Sequence, residues 1–297
     1  MRVRFCMSFT RSFISFARNC RPALVLPVAC LALGDVAHAE GYILGFGAAR
    51  DTEDATALTA FGDFGISDKT WLSAMVGRTE TEALIGGFET STYDVGIDHH
   101  FDPVGIRLSA AYWGDSGLLD SEDVRVSFYY RDDIATFSAN YERRDFDFVF
   151  GSVLLGDRRK VEFQADGWGM TSRVRFGDRV SLNLNGMHYE YSRRIRIDPD
   201  INIFRFLSAS RLSLMNSLLD YHANAGVEVA FGLRSVDVSA GTWKTAVDQS
   251  KVDSWSIGFL TPVSDRIDAE FRLSFDDSEN FGNTTALAVY LYYFGGS

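Results

Sequence analysis

Beyond residue 40 the chain carries four histidines, His99, His100, His188 and His222. In the stretch HANAGVE, His222, Asn224 and Glu228 fall at even spacing, so a strand would set an imidazole, a carboxamide and a carboxylate on one face. Such a set could accept and pass on a proton, as general acid–base chemistry requires. The plainer expectation is a histidine hydrogen-bonded to its neighbours. Asp198, Asp200 and Asn202 in DPDIN open a calcium-loop pattern, in which alternate oxygens meet the ion. The sixth position is Ile203 rather than glycine, and the twelfth is Ala209 rather than a bidentate acid, so a polar loop is expected and no metal. Thiol chemistry has no residues to use past the amino-terminal segment, since Cys6, Cys20 and Cys30 are the three cysteines.

The largest constellation is electrostatic. Arg107, Arg131, Arg173 and Arg175, and against them Asp63, Asp98, Asp237, Asp268 and Glu270, each occupy the polar parity of an alternating segment. What they can do depends on what those segments build.

Fourteen such segments begin near Tyr42, Ala55, Thr70, Thr90, Gly105, Asp123, Ile134, Phe163, Arg179, Leu218, Arg234, Val252, Arg266 and Thr285. In the fifth, Ile106, Leu108, Ala110 and Tyr112 share one face and Arg107, Ser109 and Ala111 the other. In the sixth, Val124, Val126, Phe128 and Tyr130 oppose Arg125, Ser127, Tyr129 and Arg131; in the thirteenth, Ile267, Ala269, Phe271, Leu273 and Phe275 oppose Asp268, Glu270, Arg272 and Ser274. Period-two alternation means a strand with one apolar and one wet face. Links after even segments are short (SDK, DPVG, RDD, GDR, GLR, SDR), and most links after odd ones are longer, the longest over residues 192–217. In that longest link Phe204, Leu207, Arg211, Met215 and Leu218 come near helical spacing, which suggests packing on neighbouring loops, a continuation of the tenth segment, or a short helix folded inward.

The first 39 residues differ from the rest. Arg2, Arg4, Arg11, Arg18 and Arg21 precede the apolar run ALVLPVACLALG, and Ala37-His38-Ala39 follow, the layout of a secretory signal peptide cleaved before Glu40. This segment carries five arginines against one acid, so its removal takes the formal charge from −11 to about −15. An acidic exported chain is a poor partner for nucleic acid, and one without cysteine cannot be a disulfide-stapled fold. About 258 residues remain, enough for one large β domain over residues 40–297.

A soluble sandwich buries its apolar faces, whereas a membrane barrel turns them to lipid and keeps the polar faces inside. Charge on the polar face of nearly every segment, an even segment count, and aromatics at segment ends (Tyr112-Trp113, Tyr129-Tyr130, Tyr141, Tyr189, Tyr191, Tyr292-Tyr293) favour the barrel, the aromatics read as bilayer girdles. The fold expected is all-β, a transmembrane antiparallel up-and-down barrel of about fourteen strands, with twelve or sixteen as the other counts.

The last segment, TALAVYLYYF, sets Tyr290, Tyr292 and Phe294 at alternate positions. It resembles the carboxy-terminal signal of Gram-negative outer-membrane β-barrel proteins, which the barrel-assembly machinery reads. The resemblance, at the level of the superfamily and porin-like, implies an outer-membrane location among lipids and lipopolysaccharide, and passage through that machinery. HANAGVE faintly resembles outer-membrane phospholipases, whose motif has a serine where Asn224 stands, and so lacks the nucleophile. In a closed barrel the four arginines and five acids above would form a basic and an acidic arc on opposite walls of the lumen near the short-turn end. Facing arcs would orient water and filter solutes by size and charge; alternatively each arginine pairs with a cross-strand acid and fills the lumen. The function expected is a passive diffusion channel for small polar or charged solutes, without cofactor or catalytic residue. The other readings are an accessory barrel whose loops bind a surface polymer, lipopolysaccharide or a partner protein, and, third, a barrel enzyme.

Overall fold

The computed structural model describes residues 41–83, 86–115, 119–151, 158–193, 218–280 and 282–296; the segment read as a signal peptide and most of the link over 192–217 lie outside them. Fourteen strands run in chain order. They are β1 (Tyr42–Asp51), β2 (Thr56–Ser67), β3 (Thr70–Ala83), β4 (Gly86–His100), β5 (Val104–Asp115), β6 (Leu119–Arg131) and β7 (Ala135–Gly151). There follow β8 (Arg158–Phe176), β9 (Val180–Tyr191), β10 (Leu219–Phe231), β11 (Arg234–Thr245), β12 (Lys251–Ser264), β13 (Ile267–Ser278) and β14 (Gly282–Gly295). Each pairs antiparallel with its neighbours in sequence, and β1 closes on β14 from Tyr42 opposite Gly295 to Asp51 opposite Ala286. Closure leaves no edge, so the ladder groups of every strand find partners within the sheet, the condition for crossing lipid with strands. No helix among the described residues is long and apolar enough to cross a membrane.

The alternation resolves as an inverted protein. Leu58, Phe128, Met170, Val238 and Phe271 stand exposed on the outer face. The inner face is identified by contacts that skip a strand, which only side chains on the concave side can make: Arg125 of β6 reaches Asp94 of β4, and Arg272 of β13 reaches Asp237 of β11.

Short turns close the even strands as the sequence suggests. Gly177 (φ 64°) and Gly232 (φ 68°) take left-handed backbone in two of them. In the β6–β7 turn Asp132 Oδ1 accepts hydrogen bonds from the amides of Ile134 (2.8 Å) and Ala135 (2.7 Å). The other end differs from expectation. The strands continue further into it, β4 from Gly86, β6 from Leu119, β8 from Arg158 and β14 from Gly282, and most odd-to-even links shrink accordingly; β9 and β10 remain the consecutive strands furthest apart in sequence. In β6 to β8 the reason is physical: their inner face here carries Leu119, Phe146, Phe148 and Phe163. With apolar side chains inside, the wet-face signature that marks a barrel strand fades.

Candidate functional site: the inner face of the barrel

Register decides which side chains share the lumen face, because residues directly opposite on paired antiparallel strands point the same way. Asp98 stands opposite Arg107, Arg131 opposite Thr136 and Thr136 opposite Arg173. Arg175 stands opposite Ser181, Ser181 opposite Glu228 and Glu228 opposite Asp237. On the closing strands Asp268 and Glu270 stand opposite Tyr292 and Tyr290, which face Gly45 and Gly47, and Asp63 faces Ile43. All nine sequence-selected charges therefore lie on one face, toward the short-turn end of their strands.

They do not stand apart as two arcs. Arg107 and Asp98 meet at the β4–β5 seam, with Arg107 Nε and Nη2 each 2.9 Å from Asp98 Oδ2, while Tyr129 Oη donates to Asp98 Oδ1 at 2.5 Å. Arg173 Nη2 is 2.7 Å from Glu228 Oε2. Arg272, on the acidic side, grips Asp237 bidentately at 2.9 and 3.0 Å and also reaches Glu270 Oε1 at 2.8 Å; Tyr292 Oη donates to Glu270 Oε2 at 2.6 Å. Among the described residues Asp63 and Asp268 have no ion pair, and neither do Arg131 and Arg175. Arg131 lies 5.1 Å from the centre of the Tyr129 ring, and Arg175 Nη1 donates to the carbonyl of Asp133 at 3.4 Å.

Glycine on the strand between makes such bridges possible. Gly258 lies between Asp237 and Arg272 in register, and a Cβ there would collide with Asp237 Oδ1. Gly167 lies likewise between Glu142 and Tyr189.

A second charged group lies further toward the loop end and was not singled out from the sequence. Arg125 donates to Asp94 Oδ2 (2.6 Å) and Glu142 Oε1 (2.8 Å), and its Nη2 lies 3.5 Å from Asp123 Oδ2. Tyr189 Oη donates to Glu142 Oε2 at 2.6 Å, and Trp113 Nε1 and Ser121 Oγ donate to Asp123. Arg144 Nε lies 3.4 Å from Asp123 Oδ2, and its guanidinium carbon stands 5.1 Å from the Trp113 and Phe146 ring centres and 5.7 Å from that of Tyr189. Asp123, Glu142 and Arg144 are buried. Above them an apolar cluster joins Trp113, Leu119, Phe146, Phe163 and Tyr189 to Leu218 and to Val247 of the β11–β12 link. The signal that could have found the group is in the sequence: Asp123, Arg125, Glu142 and Arg144 share the wet parity of two consecutive segments.

The girdle reading holds for four of its nine residues, Tyr112, Tyr130, Tyr141 and Tyr293. In each consecutive aromatic pair one ring must point inward, and Trp113, Tyr129 and Tyr292 do so, as do Tyr189 and Tyr191. Their polar atoms bond inside the barrel, Tyr191 Oη donating to the carbonyl of Leu219 at 2.8 Å. Tyr141 stays outside, its ring 4.5 Å from that of Trp168, and Tyr42 meets Tyr293 at 6.1 Å. Tyr290, Tyr292 and Phe294 of the last strand take the inner parity.

His222, Asn224 and Glu228 share the inner face but are not brought together. His222 lies opposite Met187 and Trp243, and Glu228, six residues on and so about 20 Å along the strand, is engaged by Arg173. Asp198, Asp200 and Asn202 lie outside the described residues. So do Phe204, Leu207, Arg211 and Met215, whereas Leu218 packs into the apolar cluster. No group of three or more His, Cys, Asp or Glu that could hold a metal occurs among the described residues.

No protein-family model and no curated protein sequence matches the chain. Solved structures do. The chain is similar to the CymD monoaromatic hydrocarbon channel over 88% of its own length and 90% of that chain, with 10% identity and a TM-score of 0.55. It also aligns with the outer-membrane protein Omp33 of Acinetobacter baumannii (9% identity, 86% and 98% of the two chains, TM-score 0.49). A third is an anion-selective porin from Comamonas acidovorans (8%, 86% and 98%, TM-score 0.47). The shared fold is the closed antiparallel β-barrel.

Proposed function

We propose that the protein is a passive diffusion channel of the outer membrane for small polar or charged solutes. The observation that carries this reading is an inner face that is both charged and wet toward the short turns. The Arg107 side chain is 59% exposed there and that of Arg173 50%, though both belong to the concave side of a closed sheet. An interior packed solid would bury them. Arg107, Arg131, Arg173, Arg175, Asp63, Asp98, Asp237, Asp268 and Glu270 flank the path, and the Arg125–Arg144 group narrows it nearer the loops. Solutes are sorted by size and by the field of these charges, with no bond made or broken. The chain is exported through its amino-terminal 39 residues and assembled by the barrel-assembly machinery.

The apolar cluster around Phe146 and Val247 favours a second reading, a barrel stopped at its loop end whose loops bind lipopolysaccharide, a surface polymer or a partner protein. Purified protein in a planar lipid bilayer separates the two. Stable conductance steps are expected of the channel; a correctly folded barrel without conductance would give the case to the accessory role.

A further inference from the structure

The solute class follows from how the inner-face charges are shared, and it rests on the channel reading above. Two pairings are balanced, Arg107 with Asp98 and Arg173 with Glu228. Among the described residues, the four sequence-selected charges without an ion pair cancel, Asp63 and Asp268 against Arg131 and Arg175. The two networks do not balance. Around Arg125 and Arg144 stand three acids, Asp94, Asp123 and Glu142; around Arg272 stand two, Asp237 and Glu270. Each carboxylate lies within ion-pair distance of a guanidinium, which favours its charged form. Each network thus carries one negative charge that its own arginines leave uncompensated. Neither is sealed from the lumen, since the Arg125 side chain is 40% exposed and Asp237 28%. One network lies toward the loop end and the other toward the short turns, so a solute passing through meets both.

We infer that the channel prefers cations, and that the acid-rich networks around Arg125 and Arg272 set this preference. At about 8 Å from a solute in water, one unit charge biases the permeability ratio of cation to anion roughly twofold at 0.1 M salt and roughly fourfold at 0.01 M. Two networks in series give a preference that grows as salt is diluted.

The test is the reversal potential of the full-length processed protein under a potassium chloride gradient, at both salt levels, for wild type, Asp94→Asn and Asp237→Asn. Each replacement keeps the side chain's shape and removes one negative charge, and the two lie in separate networks, so one variant that fails to fold leaves the other to report. The expected result is potassium over chloride in wild type, more strongly at 0.01 M, and a ratio reduced about fourfold there in a folded variant. An anion-selective or unselective wild type overturns the inference, and so does a preference that neither folded variant moves. A wild type with no conductance overturns the channel reading itself, a separate outcome.

Discussion

At the residue scale, position on the pleat decides what a side chain can tolerate. Phe271 and Arg272 are consecutive, one on the exposed outer face and the other bridging Asp237 and Glu270 inside. Phe271→Arg places a charge toward the middle of the bilayer and should cost about 2–4 kcal/mol. Arg272 is no neutral control, because its removal leaves two neighbouring carboxylates without their cation. Arg131 is the better one. It has no ion pair, only the Tyr129 ring 5.1 Å away, so Arg131→Ser should cost less than about 1 kcal/mol. Urea unfolding in lipid vesicles measures both; equal losses would contradict the facing assigned here.

The element scale adds the turns. Asp132 closes the β6–β7 turn, accepting from two amides and, at 3.1 Å, from the Tyr130 hydroxyl. The Ala135 amide and then the Ile134 amide hold its carboxyl below the usual 3.8. A carboxyl depressed in the folded state contributes stability that is present above its unfolded pKa and lost as pH falls through the folded one. The lead of wild type over Asp132→Asn should therefore be constant near neutrality and shrink below about pH 3.8; urea midpoints at pH 7, 4 and 3 check this. Strand ends were harder to read than turns. Turn chemistry is local, an aspartate, a glycine or both within a few residues. Where the upper inner face of β6 to β8 becomes apolar, the outer parity carries Asp120, Asp145, Asp147, Lys160 and Glu162, so the alternation inverts and the strand ends drop out of the apolar-outside pattern.

For the whole molecule, closure is the governing fact. A sheet with no edge must break many hydrogen bonds together to open, so barrels unfold slowly. The protein should run at different positions in detergent gels before and after boiling, and an unheated sample that migrates like the boiled one would argue against a closed barrel. Pairing of neighbouring strands also turns separate charges into shared ones, since the β4–β5 seam joins Arg107 of the basic set to Asp98 of the acidic set.

The sequence by itself determined the fold class, a strand number near fourteen, the short-turn end and the face on which all nine selected charges lie. Each of these follows from period-two alternation and local turn chemistry, which need no knowledge of distant contacts. Only the tertiary structure decided which charges pair. Arg125 meets Asp94, Arg173 meets Glu228 and Arg272 meets Asp237 across an intervening strand whose residues at the crossing are small or glycine. The same holds for the aromatics, where alternation sends one ring of each pair inward but only the folded sheet supplies the carboxylate that the Trp113 indole N–H or the Tyr129 or Tyr292 hydroxyl meets. Pairing of this kind depends on register, on barrel curvature and on the size of the residue passed over, and these exist only once the sheet has closed.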